Sequence, residues 1–176
     1  MPGRINPSST GSGHSPDPSF TGPPPALQSD SPLLEGYDPT PPGPNYTTTE
    51  GSLIYPDDSL PSKPYALPGT VIENVQLPHG TPIDRFGFPG GGWLSPEGVA
   101  FAERALPPDS VSKPYYRFIV DDPGKLPPGY SIEQSQAAPW FHQPGGGVQY
   151  RIVDPKGNTA AVQDLIDAQY LREVRG

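Results

Sequence analysis

The sequence predicts an α+β fold: a small, mostly antiparallel β-sheet domain with few short helices, preceded by a Pro-rich segment. Three observations predict it. The hexapeptides "YYRFIV" (115–120) and "VQYRIV" (148–153) join aromatic and β-branched residues to a period-two alternation, the pattern of half-buried strands. Helical spacing is confined to "SPEGVAFAERAL" and "NTAAVQDLIDAQYL", both too short to serve as the crossovers of a parallel sheet. Finally, the chain has 29 prolines and 21 glycines, and the prolines crowd toward the front, while the apolar residues do not.

Taken in order, residues 1–60 read as a linker or arm. Stretches such as "GPPPALQSDSPLLEGYDPTPPGPNYTTTEG" hold too little apolar surface to offset the entropy of ordering. Polyproline II spacing is expected in "PPP" and "PTPPGP", and the segment is expected to act as a spacer dispensable for activity, with Tyr37, Tyr46, Ile54 and Tyr55 as the residues able to pack it as an arm. The domain proper is expected over residues 64–176. "TVIENVQL" (70–77) alternates Val71, Val75 and Leu77 as a strand would. "SPEGVAFAERAL" offers Ser95 as N-cap, Pro96 at the first helical position and Glu97 in the first turn; Gly98 keeps the helix short and Pro107-Pro108 close it. Strands follow at 115–120, 130–135 ("YSIEQS") and 148–153. The C-terminal helix takes Asn158 as its cap, with Val162, Leu165, Ile166 and Gln169 on one face.

Composition excludes several classes of function. The chain has no cysteine, hence no disulfide framework, thiolate nucleophile or Cys-based zinc site. His14, His79 and His142 lie far apart without metal-ligand spacing, so no metal is expected. A net charge of −8 and the lack of a basic stripe argue against nucleic acid. "MPGRINPSST" has no apolar core of a signal peptide and no run reaches membrane-spanning length; an export signal is expected elsewhere, on a larger precursor.

Candidate site residues emerge from the loops around two strands. In "VQYRIV", Val148, Tyr150 and Ile152 share one face and Gln149 and Arg151 the other. Gln149 is then either a solvent-facing strand residue or an uncharged hydrogen-bonding group beside a ligand loop. Arg85, in "DRFGFP", presents a planar fork suited to phosphate or carboxylate, or simply pairs with Asp84. The runs "FGFPGGGW" and "QPGGGVQY" are turns or ligand loops, without the Lys and Ser/Thr of a P-loop.

Together "DRFG", "LSPEG", "RALPP", "KPYYRF", "APWFHQPGGGVQY" and "YLREV" resemble the tuberculosis necrotizing toxin domain, a family of NAD(P)+ glycohydrolases, over roughly residues 64–176. The resemblance implies a mixed fold distantly like the ADP-ribosyltransferases, with NAD+, and NADP+ as well, bound in a cleft as substrate and no separate cofactor. It implies a phosphate-contacting role for Arg85 and an active-site role for Gln149. Tyr116 stands where the family's toxin carries a histidine, so an imidazole shuttle is absent and Tyr116 becomes the third catalytic candidate. Phe86, Arg104, Trp140, Gly146 and Gly147 complete the expected substrate-binding set, the glycines letting the backbone approach NAD and Gln143 serving loop structure. A secreted or delivered C-terminal toxin domain, monomeric, and a cognate immunity protein are further implications. The alternative reading is a catalytically weakened NAD-binding or adhesive module that keeps the fold; a Pro-rich interaction scaffold would instead lack an ordered core after residue 64.

Overall fold

A computed structural model describes residues 22–175. The part of the expected linker formed by residues 1–21 lies outside them. Strands β1 (Pro82–Phe86), β2 (Trp93–Pro96), β3 (Tyr115–Val120), β4 (Ser131–Gln136), β5 (Val148–Val153) and β6 (Leu171–Val174) form one six-stranded sheet. Its order is β4-β5-β2-β1-β3-β6 and every pairing is antiparallel. The α-helix α1 (Val162–Asp167) and short 3-10 turns complete the fold.

Residues opposite one another in an antiparallel pair share a face, so register sorts the side chains. One face carries Ile83, Leu94, Tyr116, Phe118, Ile132, Tyr150 and Ile152, the main hydrophobic core, joined by Val162 and Leu165 of α1. The other carries Asp84, Ser95, Glu133, Ser135 and Arg151, all buried, together with Trp93 and Gln149. A polar sheet face buried in this way must have its hydrogen-bonding partners supplied by whatever covers it. The cover is the 3-10 helix Phe101–Arg104, the loop 137–147 and the arm.

The described part of the Pro-rich segment packs on the domain, where a free spacer would make no contacts. Tyr37 meets Phe101 edge-on at 4.7 Å, Tyr46 lies 5.4 Å from both Trp140 and Phe141, and Tyr55 meets Phe141 at 5.3 Å. Polar groups fix the path: Trp140 Nε1 donates to Ile54 O (2.8 Å), Gln143 Nε2 to Asp38 O (3.1 Å), and Tyr115 N to Pro25 O (3.1 Å). Tyrosines, spaced along a proline-stiffened chain, supply apolar area that the composition as a whole lacks.

Two expected elements take other forms. Residues 70–77 run beside β4, with Ile72 bridging Gln134 and Val75 N donating to Ile132 O, but Asn74 adopts φ 57° and breaks the strand. Ser95 and Pro96 end β2 rather than start a helix; Gly98 turns at φ 98° and only Phe101–Arg104 coils, ending at Ala105 in the left-handed region. The strands at 115–120 and 148–153 stand at the expected residues, and β4 is shifted by one from 130–135. Asn158 closes a turn, its N–H on Asp154 Oδ1, and α1 starts at Val162 behind Ala161. Gln169 (φ 69°) then stops the expected long helix, and the chain extends into β6.

Deleting residues 1–60 uncovers Phe101 and Phe141, both buried, and removes the arm's hydrogen bonds. Melting curves of the truncated and full chains are expected to differ by about 5 °C or more.

Candidate active site

A cavity of about 570 Å³ opens around the β1–β2 connection, with side chains from both faces of β1 in its wall, within the range of small-molecule sites. Its lining includes Asp84, Arg85 and Phe86 of β1, the loop Gly90–Gly92, Trp93, Gln149 of β5, Trp140, and Tyr55 to Asp58 of the arm.

Strand β1 distributes its charges. Alternation turns Asp84 and Arg85 to opposite faces, so the neighbours do not pair. Asp84, fully buried, is taken by Arg104: Nη1 to Oδ1 at 2.5 Å and Nη2 to Oδ2 at 2.8 Å. Tyr115 OH donates to the same carboxylate at 2.6 Å. Burial first, and then the Asp84 charge, push the Tyr115 phenol well above its ordinary pKa, so it stays a donor. Arg104 also donates to Val99 O and lies over the Phe86 ring at 4.8 Å. Its guanidinium is committed to the fold, and Phe86 is its platform, packed on Phe101 and Tyr115.

Arg85 is left without a carboxylate. Nε donates to Phe88 O (2.8 Å) and Nη1 to Trp93 O (3.0 Å), and among the described residues it joins no ion pair. Burial presses its pKa down from the ordinary arginine value, the mark of a desolvated cation lacking a countercharge. Gly91 makes room for it: a Cβ there would sit 2.0 Å from Nη2. The result is a guanidinium clamped by carbonyls, with Nη2 unbonded, at the wall of a cavity.

Gln149 is oriented with equal definition. Its Nε2 donates to Tyr65 O (3.1 Å) and Ser135 Oγ (3.0 Å). A backbone carbonyl can only accept, so the amide nitrogen must face it and Oε1 is what remains for a ligand. Tyr65 is held in turn by its OH on Glu133 Oε1 (2.5 Å), and Glu133 binds Lys63 Nζ at 2.7 Å with Arg151 Nη1 at 3.6 Å. Arg151 Nε donates to Thr159, whose hydroxyl donates to Asp58 of the arm. One buried network therefore positions both the carboxamide and the arm.

Three sequence expectations need correction. Tyr116 is the cross-strand partner of Arg85, but its ring stacks on Phe118 at 5.8 Å within the core and is not part of the cavity lining. Gly146 and Gly147 are also absent from the lining; Gly147 packs where a Cβ would meet Val99 Cγ1 at 2.6 Å, and its N–H donates to Glu103 O. Gly145 and Gly147 seat the loop on the 3-10 helix through Ala102 O and Glu103 O, Gly146 N bonds Ala137 O within the loop, and the run at Gly90–Gly92 takes the cavity instead. Trp140 does line the cavity, held by Ile54 O. Sequence reasoning missed Tyr65 and Asp58 as site residues and took Tyr55 only as an arm-packing residue; their signal was a single aromatic or acidic side chain at the end of the Pro-rich segment or just past it.

Fold and cavity define an α+β domain with an arginine at the cavity wall that joins no ion pair among the described residues. The family model described as tuberculosis necrotizing toxin matches residues 76–174, and the chain belongs to that family. The chain is 33% identical over 124 residues to the outer membrane channel protein CpnT of Mycobacterium tuberculosis, covering 65% of this chain and 14% of that protein. It is 32% identical over 132 residues to the conidial surface nicotinamide adenine dinucleotide glycohydrolase nadA of Aspergillus fumigatus, covering 70% of this chain and 50% of that one. The chain thus spans half or less of the length of these relatives. The solved structure of tuberculosis necrotizing toxin complexed with its immunity factor IFT matches with a TM-score of 0.54 at 24% identity, over 92% of this chain and 97% of that one, a likeness of fold.

The charge allocation on β1 has opposite consequences for its two ions. Asp84→Asn strands the buried Arg104 and is expected to cost about 3 kcal/mol or more of stability. Arg85→Gln removes a cation that joins no ion pair among the described residues, losing only its two carbonyl hydrogen bonds, and is expected to change stability by less than the Asp84→Asn loss, about 1 kcal/mol. Urea unfolding of the two variants checks both.

Proposed function

We propose that the chain hydrolyses the nicotinamide–ribose bond of NAD+, and of NADP+ as well, releasing nicotinamide and ADP-ribose or its 2′-phosphate. What carries the reading is that Arg85, with no carboxylate partner, and Gln149, with only its carbonyl oxygen unengaged, line one cavity in a member of this family. The catalytic unit is residues 64–176, with the arm as an added wall.

Nicotinamide leaves a cationic glycoside as a neutral base. The C1′–N1 bond breaks, its electron pair departs with the ring, and no general acid is needed. Water adds to C1′ and gives up a proton to solvent, which closes the balance: NAD+ and water become nicotinamide, ADP-ribose and H+. The transition state is oxocarbenium-like. The protein's task is to hold the pyrophosphate and to orient the group that attacks. Arg85 Nη2 serves the first. Gln149 Oε1 serves the second by accepting a hydrogen bond from the attacking water or a ribose hydroxyl. Trp140 forms the apolar wall. NAD(P)+ is the substrate and no separate cofactor enters the chemistry.

By the same reasoning this is a toxin domain, secreted or delivered into a target cell from a larger precursor and inhibited by a cognate immunity protein. Incubating the full chain with NAD+ and separating the products by chromatography tests the reading directly. Equimolar nicotinamide and ADP-ribose are expected; binding of NAD+ without cleavage would favour a weakened binding module.

Gln149→Ala is expected to lower kcat by about 100-fold (~2.7 kcal/mol) and, by leaving Tyr65 O and Ser135 Oγ without their donor, to lower stability by about 1 kcal/mol. Tyr116→Phe, in which the ring stays packed in the core and no cavity-lining group is removed, is expected to keep turnover within about threefold (~0.7 kcal/mol).

The pH profile of kcat is expected to be flat from about 6 to 9, because no histidine lines the cavity and its tyrosines move away from neutrality. Burial raises both Tyr55 and Tyr65, which therefore stay protonated as pH rises, and hydrogen bonds from Ser59 lower Asp57, which stays ionised as pH falls. A bell-shaped profile centred near neutrality would point to an acid–base pair outside this account.

A further inference from the structure

We propose that Lys113 is a second phosphate-contacting residue of the cavity, taking the phosphate group of the dinucleotide that Arg85 does not. The proposal rests on the reading of the ligand as NAD(P)+. A pyrophosphate carries two negative charges on adjacent phosphoryl groups, and Arg85 has a single unbonded nitrogen, Nη2, left to offer.

Lys113 lines the same cavity and is half-buried. Among the described residues it forms no ion pair. Its stem and the free end of Arg85 flank one residue: a Cβ on Gly87 would lie 3.5 Å from Lys113 Cδ and 3.6 Å from Arg85 Nη2. Gly87 holds φ 110°, a conformation open to glycine, and its N–H donates to Pro114 O at 2.8 Å, which ties the end of β1 to the segment bearing Lys113. Lys113 N is itself fixed to Ser110 O (3.2 Å) at the close of the 3-10 helix Pro108–Ser112.

Of the cavity's carboxylates, Asp84 is neutralised by Arg104, while Asp57 and Asp58 accept hydrogen bonds from Ser59 and Thr159 and, among the described residues, form no ion pair with Arg85 or Lys113. Two cations beside one small-residue gap, neither in an ion pair, repel one another less once a dianion enters between them. Their geometries are complementary. Arg85 is a rigid fork locked by carbonyls; Lys113 is a point charge on a flexible stem, able to follow the second phosphate.

The test uses the full chain and Lys113→Gln and Lys113→Arg variants, with NAD+ as substrate and inorganic pyrophosphate as calorimetric ligand and competitive inhibitor. Lys113→Gln is expected to raise KM for NAD+ and weaken pyrophosphate binding by about tenfold each, with kcat within about threefold, while Lys113→Arg retains most of the affinity. Unchanged KM and unchanged pyrophosphate affinity in Lys113→Gln, in a wild type that cleaves NAD+, would overturn the assignment alone. A wild type that neither cleaves NAD+ nor binds pyrophosphate would overturn the functional reading and this proposal together. A loss of kcat equal to the loss of kcat/KM, at unchanged pyrophosphate affinity, would assign Lys113 to the reacting centre and also reject the proposal.

Discussion

The ion pair between Asp84 and Arg104 is the interaction on which the rest of the site depends. Asp84 has an arginine immediately after it in sequence, and the obvious pairing would join the two. Strand alternation forbids it, and the 3-10 helix brings Arg104 onto the carboxylate in a two-pronged contact instead. A buried carboxylate paired this way is satisfied, and its arginine is withdrawn from ligand chemistry. Arg85 is thereby left charged, immobilised by carbonyls and without an anion. The cation at the cavity wall follows from where one carboxylate is spent, rather than from a surplus of basic residues; the chain as a whole is acidic.

Burying the polar face of a sheet carries a cost in desolvation that only a well-bonded cover offsets. Here the cover is assembled from segments with little secondary structure of their own: a 3-10 turn, a glycine-rich loop and a Pro-rich arm. The arm and the 3-10 turn reach the sheet below directly, and the loop is tied to the turn. The arm's Asp58 meets Thr159 and Arg151, the turn's Arg104 takes Asp84, Tyr65 joins Glu133 to Gln149, and the loop's Gly147 N–H donates to Glu103 O. Because the same contacts hold the cover and shape the cavity, stability and the site's geometry are coupled through this one layer. Tyr46 and Tyr55, closing over Trp140 and Phe141, make the arm part of that layer.

Much of this was legible in the sequence, and the exceptions have physical causes. β3 and β5 declare themselves by alternation and β-branching, and Gln149 was placed on the correct face because period two fixes it once Tyr150 and Ile152 face the core. β1, β2 and β6 are four or five residues long and contain proline, arginine or glutamate, so their strand character comes from their partners rather than from propensity. The "SPEG" signal fits a helix N-terminus locally but yields to Gly98 and to the pairing of Ser95 with Asp84. Tyr116 invited a catalytic reading by its position in a motif, while its alternation with Phe118 and Val120 already put it in the core. Two glycine runs look alike in sequence; only the fold distinguishes the one beneath Arg85 from the one seated on the 3-10 helix. The arm's docking was hidden by composition, since three scattered tyrosines, Tyr37, Tyr46 and Tyr55, do not alter an average.

The account's central claim is that Asp84 keeps Arg104 and leaves Arg85 for the ligand. A crystal structure of the full chain with ADP-ribose tests it most directly. The account predicts a phosphate oxygen within hydrogen-bonding distance (about 2.7–3.2 Å) of Arg85 Nη2, with the Asp84–Arg104 fork intact. A phosphate bound to Arg104 with that fork broken, or an ADP-ribose seated away from Arg85, would contradict it.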